Sequence, residues 1–243
     1  SSPFSSALEN SPKQEDYPYY MATAPENFRG VHAIRLLQEE REYDLDNLIA
    51  LAYDSSLPGF EKLIPGLVAA YDEKRPDGKD LKEAIDILRE WDFKVSAESV
   101  AMTLAHFYGM MYTSEGARPE GMSYMNRVNF YGTGSPIEER LSIFQKVLNQ
   151  LRDDFGDWKQ PWGEVNRFQR LTGVFKSKFD DTQPSTPVGL ASGRWGALAA
   201  YGARTFEGTK KLYGYRGNSF VAAVEFGEKV KAKTLLAGGQ SND

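Results

Sequence analysis

Apolar residues recur at helical spacing through much of the first part of the chain. Asp44 can cap the helix that the first of these sets predicts. Two sets share this spacing: Leu45, Leu48, Ile49 and Ala52, and then Leu81, Ala84, Ile85, Leu88 and Trp91. A further helix is expected over about residues 97–111. After an irregular start, the pattern therefore predicts a mainly helical segment over residues 1–160.

The strongest local signal for a helix begins at Ser135. Ser135 can cap the first amides, Pro136 needs no N–H in the first turn, and Glu138 can reach back to the Ser135 amide. One apolar face follows over about five turns, formed by Ile137, Leu141, Phe144, Leu148, Leu151 and Phe155. We therefore predict a long helix that starts with a capping box.

The period changes to two near the end of the chain, after a loop-like stretch rich in Gly, Ser, Thr and Pro at residues 180–196. Residues 220–226 and 230–236 alternate around a turn at Gly227-Glu228, which predicts an antiparallel hairpin with one buried and one partly solvated face. Helices followed by antiparallel strands indicate the α+β class. Residues 161–243 form the loop-rich second part, which ends in this hairpin.

Composition excludes several kinds of chemistry and partner. The net charge of −5 and the pI near 5.3 argue against a nucleic-acid partner, which requires clustered positive charge. The chain has no cysteine, so disulfides, thiolate metal sites and a cysteine nucleophile are excluded. No apolar run approaches the ~20 residues that cross a bilayer. Because the chain starts without Met, we expect an excised or processed segment.

Candidate catalytic residues are few. His32 and His106 are the only histidines, and both are expected to be structural or partly exposed because nothing pairs them with a nucleophile. Ser1 is an N-terminal serine, but Ser2-Pro3 disfavours the core strand that such a nucleophile begins. Three adjacent carboxylate pairs lack the spacing of a metal loop and are expected to be solvated: Glu39-Glu40, Asp153-Asp154 and Asp180-Asp181.

Short segments along the whole chain carry a family resemblance. They are residues 1–4 (S-S-P-F), 16–18 (D-Y-P), 27–37 (N-F-R-G-V-H-A-I-R-L-L), 88–92 (L-R-E-W-D), 162–167 (W-G-E-V-N-R) and 238–241 (G-G-Q-S). In this order and spacing they resemble the penicillin acylase (penicillin amidase) family, nearest the branch of aculeacin and acyl-homoserine-lactone acylases. The resemblance implies a C-terminal fragment of the β chain of an N-terminal-nucleophile hydrolase, with the final hairpin completing the core sheet of an αββα fold.

The resemblance also implies a mechanism. A precursor, or zymogen, cleaves itself to expose an N-terminal serine, which lies outside this chain, as does the oxyanion asparagine expected just before Ser1. That serine hydrolyses the amide of an N-acyl substrate such as a β-lactam side chain or an acyl-homoserine lactone, as in antibiotic metabolism or quorum quenching. Arg29 matches the family arginine that positions the nucleophile and this asparagine. No substrate-binding residue or metal ligand is assigned here.

Further properties are implied for the parent protein. The partners are the remainder of the precursor, including its α chain, and the N-acyl substrate. The location is periplasmic or secreted, and no cofactor is expected, although the full-length enzyme can bind calcium. The fragment alone is expected to be inactive, and its uncovered hairpin is expected to cause association or poor solubility.

Two alternatives stay open at the level of sequence. The first is a non-enzymatic helical and β-hairpin module that binds a partner through residues 17–21 and 180–196. The second is a complete hydrolase that uses Ser1, which the following proline makes the least favoured interpretation.

Overall fold

The computed structural model describes residues 10–21, 24–39, 42–171 and 178–236, and in these ranges helices precede strands. The helices are α1 (Phe28–Leu37), α2 (Leu45–Ala52), α3 (Pro58–Lys74), α4 (Lys79–Arg89), α5 (Val100–Glu115), α6 (Tyr124–Thr133), α7 (Ile137–Phe155) and α8 (Trp162–Val165). The strands are β1 (Asn166–Phe168), β2 (Thr186–Pro187), β3 (Tyr201–Arg204), β4 (Leu212–Gly217), β5 (Phe220–Glu225) and β6 (Lys231–Leu236). The predicted α+β class is confirmed.

Two predicted helices form where the periodicity placed them. Asp44 caps α2, because its side chain accepts from the backbone N–H groups of Asp46 and Asn47, while the Asn47 side chain accepts from the Asp44 amide. The helix α7 covers Ile137–Phe155, the span of the predicted apolar face. In the part of the chain that is described, no helix is long and apolar enough to cross a membrane.

The predicted capping box of α7 is wrong. The Ser135 hydroxyl donates to the Tyr131 carbonyl at 2.9 Å and accepts from Arg140 Nε at 3.0 Å, while Glu138 pairs with Lys74 at 2.9 Å. Arg140 is buried, so its guanidinium must find acceptors inside the protein, and the Ser135 hydroxyl and carbonyl both serve it. A tertiary requirement therefore outweighs the local cap.

The helical core is built around α3, which contacts α4, α5, α6 and α7. Its crossing with α6 is unusually close, because a Cβ at Gly66 would lie 1.6 Å from the Gly132 carbonyl oxygen. Only two glycines facing each other allow the backbones to approach in this way. On another side of α3, the Phe60 ring stacks on Trp195 with centroids 4.4 Å apart. The loop that carries Trp195 is thereby attached to the core.

The strands form two separate sheets within the described ranges. The larger sheet has the order β2-β1-β4-β3, and the smaller sheet is the β5-β6 hairpin. The strands pair antiparallel as predicted, except that β1 and β4 are parallel. The long connection between these two strands contains β2 and β3, so the chain can return to β1 in the same direction.

The final hairpin has the predicted strands and pairing, with Phe220 opposite Leu236 and Glu225 opposite Lys231. The prediction of one buried face is wrong for the described residues. In the two strands only Ala223 is buried, and every residue of β6 is exposed. The hairpin contacts the rest of the described chain mainly through α2, which packs on part of β5 and reaches β6 through the ion pair of Asp46 with Lys233.

Candidate functional site

Arg29 lies in the first turn of α1, and its side chain is held by two neighbouring segments. Asn27 caps the helix, since its side-chain oxygen accepts from the Gly30 amide at 3.0 Å. Arg29 Nη2 donates to the Leu198 carbonyl at 2.7 Å and to Asn218 Oδ1 at 3.4 Å. The Asn218 amide donates to the same Leu198 carbonyl at 3.2 Å. The guanidinium is therefore fixed between the loop before β3 and the residue that follows β4.

His32 connects the loop before β3 to α1. This side chain is fully buried, with Nδ1 2.8 Å from the Gly196 carbonyl oxygen and Nε2 3.0 Å from Asp54 Oδ1. Both partner atoms are oxygen acceptors, so each contact forms when the ring nitrogen beside it carries a hydrogen. His32 therefore has the structural role that we expected and helps to position the segment that binds Arg29.

Asp54 is the anionic partner of this histidine. Burial by itself raises the pKa of Asp54, but hydrogen bonds from Ser56 and the charge and hydrogen bond of His32 together hold that pKa below its ordinary value. The Ser56 amide donates to Asp54 Oδ1 at 2.8 Å. The pair is thus anchored on both sides, and it orients α1 against the 192–198 segment.

A cavity of about 380 Å³ adjoins Arg29 and concentrates positive charge. Arg29, Arg194 and Arg216 line it together with Asn27 and Asn218, and none of the lining residues is acidic. None of the three guanidinium groups forms an ion pair with a carboxylate in the described ranges. This concentration is notable in a chain of net charge −5, and it favours groups that carry or develop negative charge.

The two other arginines are supported by soft or aromatic contacts. The Arg194 guanidinium lies 5.4 Å from the centre of the Tyr124 ring and donates to the Met110 sulfur at 3.1 Å. The Arg216 guanidinium lies 5.2 Å from the centre of the Tyr215 ring. Ring faces attract a cation without neutralising it. These arginines therefore keep their positive potential for the cavity.

A second, more apolar cavity of about 310 Å³ lies on the other side of Arg29. Leu48 and Ile49 of α2, Leu198 and Val221 of β5 contribute to its walls. Arg29 and Asn218 line both cavities, so they stand where the cationic and the apolar space meet. A ligand with a polar group and an apolar chain could therefore contact both spaces at this pair.

Sequence reasoning identified Arg29 but not the residues around it. Arg194 follows a Gly-Ser loop, while Arg216 and Asn218 lie in or just after β4, and no local motif connects them. Ser1 and the G-G-Q-S segment at residues 238–241 lie outside the described residues.

Two of the three carboxylate pairs form ordinary contacts, because Asp154 pairs with Lys210 and Asp181 accepts from the Tyr213 hydroxyl. No group of three or more histidine, aspartate and glutamate side chains in the described ranges could hold a metal ion.

The W-G-E-V-N-R segment packs the 180–196 loop into the protein. The Trp162 indole N–H donates to the Leu190 carbonyl at 2.9 Å, and the Asn166 amide donates to the Val188 carbonyl at 2.8 Å. Arg167 donates to the hydroxyl of Ser185 at 2.9 Å. Much of this loop therefore serves internal packing, which weakens its proposed use as a binding surface.

Fold and site together define a class, an α+β protein with an arginine-lined cavity suited to an anionic or oxyanionic group. Comparison with protein families gives the particular family. The family model described as penicillin amidase matches residues 2–243, and the chain belongs to the penicillin amidase family. At the level of the family, its chemistry is the hydrolysis of an acyl amide, a C–N bond.

Proposed function

We propose that this chain is part of an acylase that hydrolyses an N-acyl substrate through an acyl-enzyme on an N-terminal serine outside the chain. One structural observation supports this proposal in addition to the family match. Arg29, which matches the arginine expected to position the nucleophile, is held by Leu198 and Asn218 at the junction of the two cavities. A reacting amide at this junction would have its polar centre beside the arginine and its acyl part toward the apolar wall.

The proposed reaction follows from the chemistry of an N-terminal serine. The α-amine, through a water, takes the hydroxyl proton while the serine oxygen bonds to the amide carbon. The C–N bond then breaks, and the amine leaves with that proton. Water attacks the resulting ester and releases the carboxylic acid, which regenerates the serine. A backbone N–H and an asparagine amide stabilise the oxyanion, and no cofactor is needed.

Arg29 acts as a positioning residue in this proposal. Arginine has five N–H donors in a rigid fork, and the contacts of Arg29 with Leu198 and Asn218 use only Nη2. The other donors can orient the serine and the oxyanion asparagine of the assembled site. Arg194 and Arg216 add positive potential that stabilises the developing oxyanion and the carboxylate product.

Other properties of the parent belong to the same proposal. We infer processing from a zymogen, assembly with the α chain and a periplasmic or secreted location, because the resemblance to the aculeacin and acyl-homoserine-lactone branch supports each of them. β-Lactam side chains, acyl-homoserine lactones and related acyl amides are the candidate substrates. Calcium binding by the full-length enzyme remains an expectation from the family.

The test compares Arg29 with an arginine on the same helix. Arg29→Ala and the control Arg35→Ala are made in the upstream-extended parent, and hydrolysis of acyl-p-nitroanilides from phenylacetyl to long-chain is measured. Arg35 forms an ion pair with Glu61 on the surface, so its loss should change kcat by less than about twofold. Arg29→Ala should lower kcat by about 100-fold, the order found when an oriented polar group is lost. Equal effects of the two variants would refute the role of Arg29.

The same panel separates the alternatives. This chain alone should be inactive, whereas activity that disappears on replacing Ser1 would establish the hydrolase that uses Ser1. An inactive parent would favour either a degenerate acylase or the binding module, with residues 17–21 as the surface of that module. Tyr19 and Tyr20 are exposed there, and their rings contact each other edge to face with centroids 5.8 Å apart.

A further inference from the structure

A third cleft, separate from the two at Arg29, lies between α5, α7 and the strands β3 and β4. Its volume is about 360 Å³, within the range of small-molecule sites, and it shares no lining residue with the arginine cavity. Apolar side chains form much of its wall, and one histidine joins them: His106, Phe107, Met110, Met111, Ala203 and Leu212.

Among the described residues of this wall, His106 carries the buried polar atom that lacks a partner. The side chain is 9% exposed, and its Nδ1 atom is buried without a hydrogen bond. Trp162 packs against the ring with centroids 4.7 Å apart, and Phe107 meets it edge to face at 5.9 Å. A polar atom without a partner in an apolar setting costs free energy. Nδ1 is enclosed, whereas Nε2 is not fully buried and also forms no hydrogen bond in the described ranges, so Nε2 is the ring nitrogen that can meet a ligand in the cleft.

The environment keeps this ring uncharged. Burial, with a smaller contribution from the Arg194 charge, lowers the pKa of His106 to about 3. A neutral imidazole has one donor nitrogen and one acceptor nitrogen. Because Nδ1 has no partner, no contact there decides which of the two nitrogens is the donor. A hydroxyl group complements such a ring, because it can donate to one tautomer and accept from the other.

We propose that the cleft binds a small neutral aromatic molecule with one hydroxyl group, a simple phenol, whose hydroxyl bonds to His106. Methionine sulfur and the edge of Phe107 favour contact with an aromatic ring. The charged groups of the rim are of opposite sign, since Glu115 pairs with Lys146 while Arg204 lies against the Phe206 and Tyr215 rings. A neutral ligand therefore fits this cleft better than an ion. A cavity of about 150 Å³ holds a benzene ring, so this space admits a substituted ring.

The test uses the chain as it is, with p-cresol and with toluene, which lacks only the hydroxyl. Binding is measured by calorimetry, and the imidazole ¹⁵N resonances are followed in parallel. The chain has two histidines, so His32, which is buried elsewhere with both nitrogens engaged, is an internal control. We expect p-cresol to bind at least fivefold more tightly than toluene and to shift the His106 resonances alone.

A variant gives an independent readout. His106→Phe keeps a ring against Trp162 and should lower p-cresol affinity at least fivefold while leaving toluene affinity within about twofold. Should this variant fail to fold, the wild-type comparison and its ¹⁵N spectra still decide. Equal binding of p-cresol and toluene, no binding of p-cresol, or shifts at His32 rather than His106 would each overturn the proposal. None of these measurements depends on acylase activity.

Discussion

At the scale of single residues, His32 has the most extensive role. Its two hydrogen bonds join α1, the Gly196 loop and Asp54, and that loop continues to the Leu198 carbonyl which accepts from Arg29. The sequence showed only a histidine beside apolar neighbours. Its partners are 22 and 164 residues away, so spacing along the chain could not reveal them.

His32→Leu should lower the free energy of unfolding by about 2–4 kcal/mol, because the Gly196 carbonyl and Asp54 lose their buried donors. Urea denaturation followed by circular dichroism measures the change. Lys82→Ala is the matched control, since the exposed pair of Lys82 with Asp86 should contribute little to stability. A similar small loss in both variants would show that the His32 bonds contribute little.

Asp54 predicts a pH dependence. Its folded pKa lies below its ordinary value of about 4, despite the opposing effect of burial, because of its bonds with Ser56 and His32. The stabilising contribution is therefore complete above the unfolded pKa and is lost as the pH falls through the folded pKa. Asp54→Asn should be less stable at pH 7 and should lose less stability than wild type between about pH 5 and pH 2. Parallel stability curves for the two proteins would contradict this assignment.

At the scale of elements, hydrophobic periodicity predicted the features that depend on a single helix. The α7 bounds followed from its apolar face, because a helix that packs on one side must repeat with its own period. The start of α7 did not follow, since the buried Arg140 engages Ser135. The parallel pairing of β1 with β4 also escaped prediction, because it depends on a connection that brings two distant segments together.

The close approach of α3 and α6 can be tested by substituting a glycine at their crossing. Gly66→Ala should lower the free energy of unfolding by at least about 3 kcal/mol or prevent folding, because its Cβ would overlap the Gly132 carbonyl. Thermal and urea denaturation provide the measurement. Gly227→Ala is the control, since a Cβ there would meet only one backbone oxygen at 3.9 Å. Equal stability of the two variants would mean that the helices do not approach this closely.

At the scale of the whole molecule, the exposed hairpin is the clearest departure from a self-contained fold. Phe226 is 84% exposed, Val230 64% and Phe220 59%, and every residue of β6 is exposed. Apolar residues on an uncovered strand favour pairing with other chains. The proposed pairing of this hairpin with further strands would cover these residues.

The chain alone should therefore associate and bind a hydrophobic dye. Replacing Phe220 and Val230 together by lysine should reduce both effects, because charge on an exposed strand opposes pairing. Sedimentation velocity and dye fluorescence are the measurements. Tyr19→Lys with Tyr20→Lys is a control that removes exposed aromatic surface away from the hairpin. A monomeric wild-type chain without dye binding would contradict the prediction.

The sequence by itself determined the class, the helix periods, the final hairpin and, through ordered segments along the chain, the family, and it gave Arg29 as a candidate site residue. These features are encoded locally, in periods of 3.6 or two residues and in short motifs. Only the tertiary structure brought Arg194, Arg216 and Asn218 to Arg29, and only it left His106 without a partner at a cleft. Such sites arise from contacts between residues far apart in the chain, and neither period nor composition records which distant segments will meet.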